Sequence, residues 1–174
     1  LFSFGMFGSI FLLAQYLQAV QGSSPLQAGL QTLPWTAAPL LVAPIAGPLS
    51  DRIGSRPLLI TGLAMQALGL AWLATQMSVT GSYAELVPAF IVCGVGMALF
   101  FVPVANAVLG AVPARLEGVA SGTNNAIREI GGVLGIAVLA AVFSANGSYA
   151  SPQAFVDGTQ PAVMAGAVVV AIGA

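Results

Sequence analysis

Uninterrupted apolar runs of about twenty residues constrain this chain more than any other feature. A helix needs about 20 apolar residues to cross a hydrocarbon layer about 30 Å thick. Six stretches reach or approach that length: about 2–20, 28–49, 57–77, 86–109, 119–143 and 161–174, the last one truncated. They are continuously apolar rather than alternating at period two, so helices and not barrel strands are predicted. Charged residues make up 5% of the 174 positions and hydrophobic residues 58%. A soluble domain needs about a quarter of its residues charged to cover its surface. The expected fold is therefore an all-α membrane protein embedded in a lipid bilayer.

The chain has no Lys and no His, and its net charge is −1, so no basic surface invites nucleic acid. Cys93 is the single cysteine, sits in an apolar run and reads as a packed core residue. Without His, and with one Cys, a zinc, haem or iron–sulfur site is not expected. No catalytic set emerges either, because there is no His base, no paired carboxylate and no phosphate-binding glycine loop followed by Lys. The chain opens without Met or a signal-peptide pattern and reads as a piece of a longer protein.

The connectors agree with the partition. Gln21–Pro25, Asp51–Arg56, Thr80–Tyr83 and Pro113–Gly118 are short and rich in turn residues, and residues 146–160 read as the longest loop. Short connectors make neighbouring helices antiparallel. Arg52, Arg56 and Arg115 then fall on one side of the membrane, opposite Glu85 and Asp157. The positive-inside rule makes the Arg side cytoplasmic.

Few polar residues interrupt this pattern. In the second connector, Gly47 would allow close helix approach, and Gly54 would permit a tight reversal at positive φ. Asp51, Arg52 and Arg56 lie at headgroup level, where an Asp can accept hydrogen bonds from a helix N-terminus. A plainer reading makes these charges a topological anchor, and the two are compatible. This stretch resembles the signature loop of the major facilitator superfamily, G-x-L-x-D-R-x-G-x-R, through Gly47, Leu49, Asp51, Arg52, Gly54 and Arg56. The resemblance extends through Tyr16–Gln18, Gly22, Ser24–Leu30 and Leu33–Pro34. It continues through Gly118–Gly122, Asn125, Arg128, Gly131–Gly132, Leu134–Gly135 and Ala137. These segments are similar to the C-terminal half in the fourteen-span drug:proton antiporter branch. Glu129 departs from the neutral polar residue expected at its position.

The resemblance implies a six-helix half of a transporter whose N-terminal six- or eight-helix part lies outside this chain. It implies proton-gradient-driven efflux of drug-like or amphipathic small molecules from a bacterial inner membrane, with no cofactor and no enzymatic step. It also implies that Asp51 docks on a neighbouring helix terminus and that Arg52 and Arg56 latch it. The alternatives are a membrane scaffold or subunit that transports nothing, an exporter of a different solute, and an intramembrane enzyme without a visible catalytic set.

The fifth span is the most informative helix. Asn124 and Arg128 are four apart, as are Asn125 and Glu129, forming two polar stripes. Arg128 and Glu129 lie about ten residues past Gly118, or about 15 Å along a helix. Ionisable groups at that depth face a protein interior or a wet cavity. Glu129 with Arg128 is thus a candidate for proton coupling, and the alternatives are a structural ion pair or snorkelling to the interface. The pairs Gly118–Gly122 and Gly131–Gly135, with Gly94 and Gly96, read as helix-packing contacts. Pro34, Pro39, Pro44 and Pro48 predict a bent second span. Gln15 and Gln18, with Trp35, Asn106, Asn124 and Asn125, are candidate cavity-lining groups, as are Phe100 and Phe101. The plainer reading of these residues is interhelical glue and lipid-facing packing.

Overall fold

A computed structural model describes all residues, Leu1–Ala174. The chain folds into helices α1 (Phe2–Ala19), α2 (Pro25–Gln31), α3 (Leu33–Ile53), α4 (Ser55–Gln76), α5 (Tyr83–Gly110), α6 (Glu117–Asn146) and α7 (Pro152–Ala171), with a 3-10 turn at Ala114–Leu116 and no strand. Joining α2 to α3 leaves six helical segments long and apolar enough to cross a membrane.

Local signals explain the starts. Ser24 accepts the Gln27 backbone N–H while the Gln27 side chain accepts the Ser24 N–H, with Pro25 in the first turn. Ser82 and Glu85 form the same reciprocal box at the start of α5. Each box satisfies donors that the helix itself cannot. Helix α3 runs unbroken through Pro39, Pro44 and Pro48.

The last helix corrects the sequence reading. It begins at Pro152 rather than Pro161, so the expected loop at 146–160 shrinks to a short turn. Ser151 accepts the Ala154 N–H at 3.1 Å, and Pro152 occupies the first turn. Polar residues that suggested a loop are accommodated on the helix: Gln153 donates to Asp157 at 2.8 Å, and Thr159 donates to the Phe155 carbonyl at 2.8 Å. Phe155, Val156, Ala162 and Val163 meanwhile face the core.

Helix α4 packs on α5 and α7, α3 on α5, and α1 on α6 and α7. Backbones approach closely where glycines meet: a Cβ on Gly96 would lie 2.9 Å from the Gly62 carbonyl oxygen, and one on Gly8 would lie 2.8 Å from that of Gly135. Gly94 likewise abuts the Trp35 carbonyl. Gly47, Gly118 and Gly122 behave otherwise, since a Cβ there would meet nothing within 4 Å. Their expected packing role is not exercised inside this bundle, because the faces that carry them are open.

One end is laced by side chains. The Tyr16 hydroxyl donates to the Ser78 carbonyl at 2.7 Å, Gln160 donates to the Met77 carbonyl at 2.7 Å, and Tyr83 donates to the Gln31 carbonyl at 3.0 Å. Burial is uneven across the helices. Over the most apolar 18 residues of each span, 50–56% of positions are buried in α1, α4 and α7, against 11% in α2–α3 and 22% in the span containing α6. Helices α3 and α6 therefore carry the open faces of the bundle.

Candidate functional site

Helices α1, α3, α5 and α6 enclose a cleft of about 450 Å³. Its walls are Met6, Phe7 and Ile10 from α1, Pro39 and Ala43 from α3, and Met97, Ala98, Phe101 and Val102 from α5. Two polar side chains enter it, Thr36 and Arg128. Thr36 donates to the Thr32 carbonyl at 3.3 Å, and its hydroxyl accepts no hydrogen bond. A smaller recess of about 140 Å³ adjoins it, lined by Phe2, Ser3, Phe100, Val104, Asn124 and Ile127. Phe101 and Arg128 line both spaces and so form the partition between them.

The partition is an aromatic stack capped by a cation. Phe2 stacks on Phe100 with centroids 4.3 Å apart and meets Phe101 edge-on at 5.1 Å. The Arg128 guanidinium carbon lies 5.5 Å from the Phe101 ring centroid, within cation–π range. Arg128 donates through Nη2 to Asn125 Oδ1 at 2.8 Å and pairs with Glu129 at 3.5 Å. Its Nε is buried with no acceptor. The polar stripes expected along α6 thus close differently, at spacings of three and one rather than four.

The remaining sequence candidates scatter. Asn124 lines the smaller recess. Glu129 is 57% exposed and lines neither space. Trp35 is fully buried between α3 and α5 beside Phe90, with its Nε1 unpartnered, so it belongs to the core and neither to a cavity wall nor to a lipid-facing surface. Gln15 accepts the Tyr149 hydroxyl at 2.6 Å, and Gln18 folds back on the Ala14 carbonyl at 3.0 Å. Both lie near the laced end, away from the cleft. Asn106 is exposed on α5 and makes no side-chain hydrogen bond.

In the α3–α4 connector Gly54 has φ +85°, as the expected reversal requires, and the Ser50 and Ser55 hydroxyls meet at 3.1 Å. Asp51, Arg52 and Arg56 are exposed, and the first turn of α4 has no side-chain cap. The docking that the resemblance implies for Asp51 is not made among these helices.

Sequence reasoning missed the cleft walls Phe7, Met97 and Thr36, and a second polar feature. Gln66 is fully buried in α4 with both amide atoms unpartnered, and so is the Ser9 hydroxyl in α1. A lone Gln inside an otherwise apolar run was the available signal for the first.

A bundle of membrane-length helices with an apolar cleft opening on one face defines a polytopic helical membrane protein. The family model of the Major Facilitator Superfamily matches residues 1–174, and the chain belongs to that superfamily. It is 40% identical over 142 residues to the multidrug resistance protein Stp of Mycobacterium tuberculosis, covering 82% of this chain and 26% of that protein. It is 29% identical over 168 residues to the tetracenomycin C resistance and export protein of Streptomyces glaucescens, covering 94% of this chain and 30% of the relative. It is 32% identical over 142 residues to the multidrug efflux pump LfrA of Mycolicibacterium smegmatis, covering 81% of this chain and 28% of the relative. The chain thus spans about a quarter to a third of the length of these relatives.

Proposed function

We propose that this chain is the C-terminal six-helix half of a secondary active transporter that exports apolar or amphipathic small molecules from a bacterial cell. The observation that carries this reading is the cleft shared by α1, α3, α5 and α6 on the open side of the bundle. A second helical half outside this chain would close that face, and rocking of the two halves would expose the cleft alternately to each side. The efflux and export named for the relatives supports the direction. The ends of α3 and α5, with Arg52, Arg56 and Arg115, are assigned to the cytoplasmic face of the plasma membrane by the positive-inside rule. Asp51, Arg52 and Arg56, exposed and unpaired here, would latch elements outside this bundle in one state of the cycle.

The driving force in this reading is a proton gradient, and no cofactor or enzymatic step is involved. Glu129 is the carboxylate at membrane depth in this half and the group to test for coupling. The complete protein is reconstituted in vesicles, and efflux is measured with and without an imposed proton gradient for wild type and Glu129→Gln. Gradient-driven efflux in wild type and its loss in the variant are expected. Efflux that ignores the gradient would overturn proton coupling, and unchanged coupling in the variant would remove Glu129 from it.

A further inference from the structure

The charge placed at the cleft carries information about what the cleft accepts. Of the five carboxylates in the chain, none lines the cleft or its adjoining recess. Glu85 is engaged in the α5 cap, Asp157 is bonded to Gln153, and Asp51 and Glu117 lie at the opposite end of the bundle. Glu129 stands 3.5 Å from Arg128 but outside both spaces, so the one charged group that lines the cleft of this half is the guanidinium.

Arg128 is available to an anion. Arginine has five N–H donors. Here Nη2 serves both Asn125 and Glu129, and Nε is buried without a partner and closed to a solute, while the two N–H groups of Nη1 make no hydrogen bond. The Glu129 contact, at 3.5 Å, is longer than the 2.7–2.9 Å typical of a charge-assisted hydrogen bond, and it lies on the exposed side of the pair. Stacking on Phe101 holds the guanidinium at the junction of both spaces without consuming its donors. Around it, Phe7, Met97 and Phe101 offer apolar surface to a ring system.

Resting on the transport reading, we propose that Arg128 selects solutes carrying an anionic oxygen, a carboxylate or phenolate attached to an apolar ring body. The anionic oxygen binds the free guanidinium N–H groups while the rings fill the cleft. A lipid phosphate offers the same oxygen chemistry, and the test separates the two.

The complete protein is reconstituted in phosphatidylcholine vesicles, and equilibrium binding of 2-naphthoate is compared with that of its neutral isostere 2-naphthamide. The charge-assisted contacts should favour the naphthoate by about 10- to 100-fold. Arg128→Gln should erase the preference, and Arg128→Lys, which keeps the charge but loses the planar fork, should retain part of it. Equal binding of both probes to wild type would overturn the proposal without any variant. A preference seen in phosphate-free detergent micelles but absent in the phosphatidylcholine vesicles would make the lipid phosphate the occupant and overturn the assignment to a solute. Transport of 2-naphthamide is followed in the same vesicles. If the amide is transported and charge makes no difference, the Arg128 assignment falls and the transport reading stands; if neither probe binds or moves, both fall.

Discussion

Replacing Gly135 with Ala tests whether the α1–α6 contact is a true backbone crossing. A Cβ at Gly135 would press into the Phe4 carbonyl oxygen and come within 2.7 Å of the Phe4 carbonyl carbon and Cα. Ordinary carbon–carbon contact is about 3.5–4.0 Å, so the two helices must separate by about 1 Å. The obstructing atoms are backbone, which cannot swing aside as a flexible side chain would. A radial gap of that size forfeits about a quarter to a half of each contact energy nearby. Overpacking typically costs about 1–3 kcal/mol, and a backbone clash belongs at the upper end. The substitution also gains about 1 kcal/mol of helix propensity, leaving a net loss of about 2 kcal/mol. Gly29→Ala in α2 is the control, because a Cβ there meets nothing within 4 Å and only the propensity gain of up to about 1 kcal/mol remains. The two single-methyl changes should therefore move stability in opposite directions. Denaturant unfolding of the complete protein in mixed micelles measures this. The reasoning fails if Gly135→Ala proves as stable as Gly29→Ala.

Two further outcomes follow from single residues. Gln66→Met removes two buried polar atoms that lack partners while keeping similar volume, and should raise stability by about 1–3 kcal/mol in the same unfolding assay; a loss would mean that the amide is satisfied after all. Gly54→Ala places a side chain at φ +85° and ψ 159°, at a strain of about 1–3 kcal/mol, so the α3–α4 reversal should loosen. Amide hydrogen exchange confined to the residues around 50–58 should accelerate, and unchanged protection there would refute the strain argument.

The sequence made some features legible because only one residue type can serve them. A reversal at positive φ calls for glycine, and Gly54 supplies it between two apolar runs. Arg128 stood out because a guanidinium at membrane depth must find donors' partners or an aromatic face, and it finds Asn125, Glu129 and Phe101. Six spans could be counted because an unpaired backbone cannot sit in hydrocarbon. What the sequence could not reveal was direction around each helix. Lipid tails are as apolar as a protein core, so an apolar residue facing lipid and one facing a neighbouring helix are chemically alike. Trp35 is buried while Leu40 and Leu41, a few residues on, are more than three-quarters exposed, and nothing in their type separates them. The same degeneracy hid the cleft, whose walls are ordinary Phe, Met and Ala. It also explains the misplaced start of α7: with apolarity as the guide, its polar first turns read as loop, although Phe155, Val156 and Thr159 already present one buried face. In such a chain the polar minority reports the site, but only packing reports which of its members share one. Gln15, Gln18 and Asn106 are as polar as Asn124, yet packing brings only Asn124 to the recess beside Arg128.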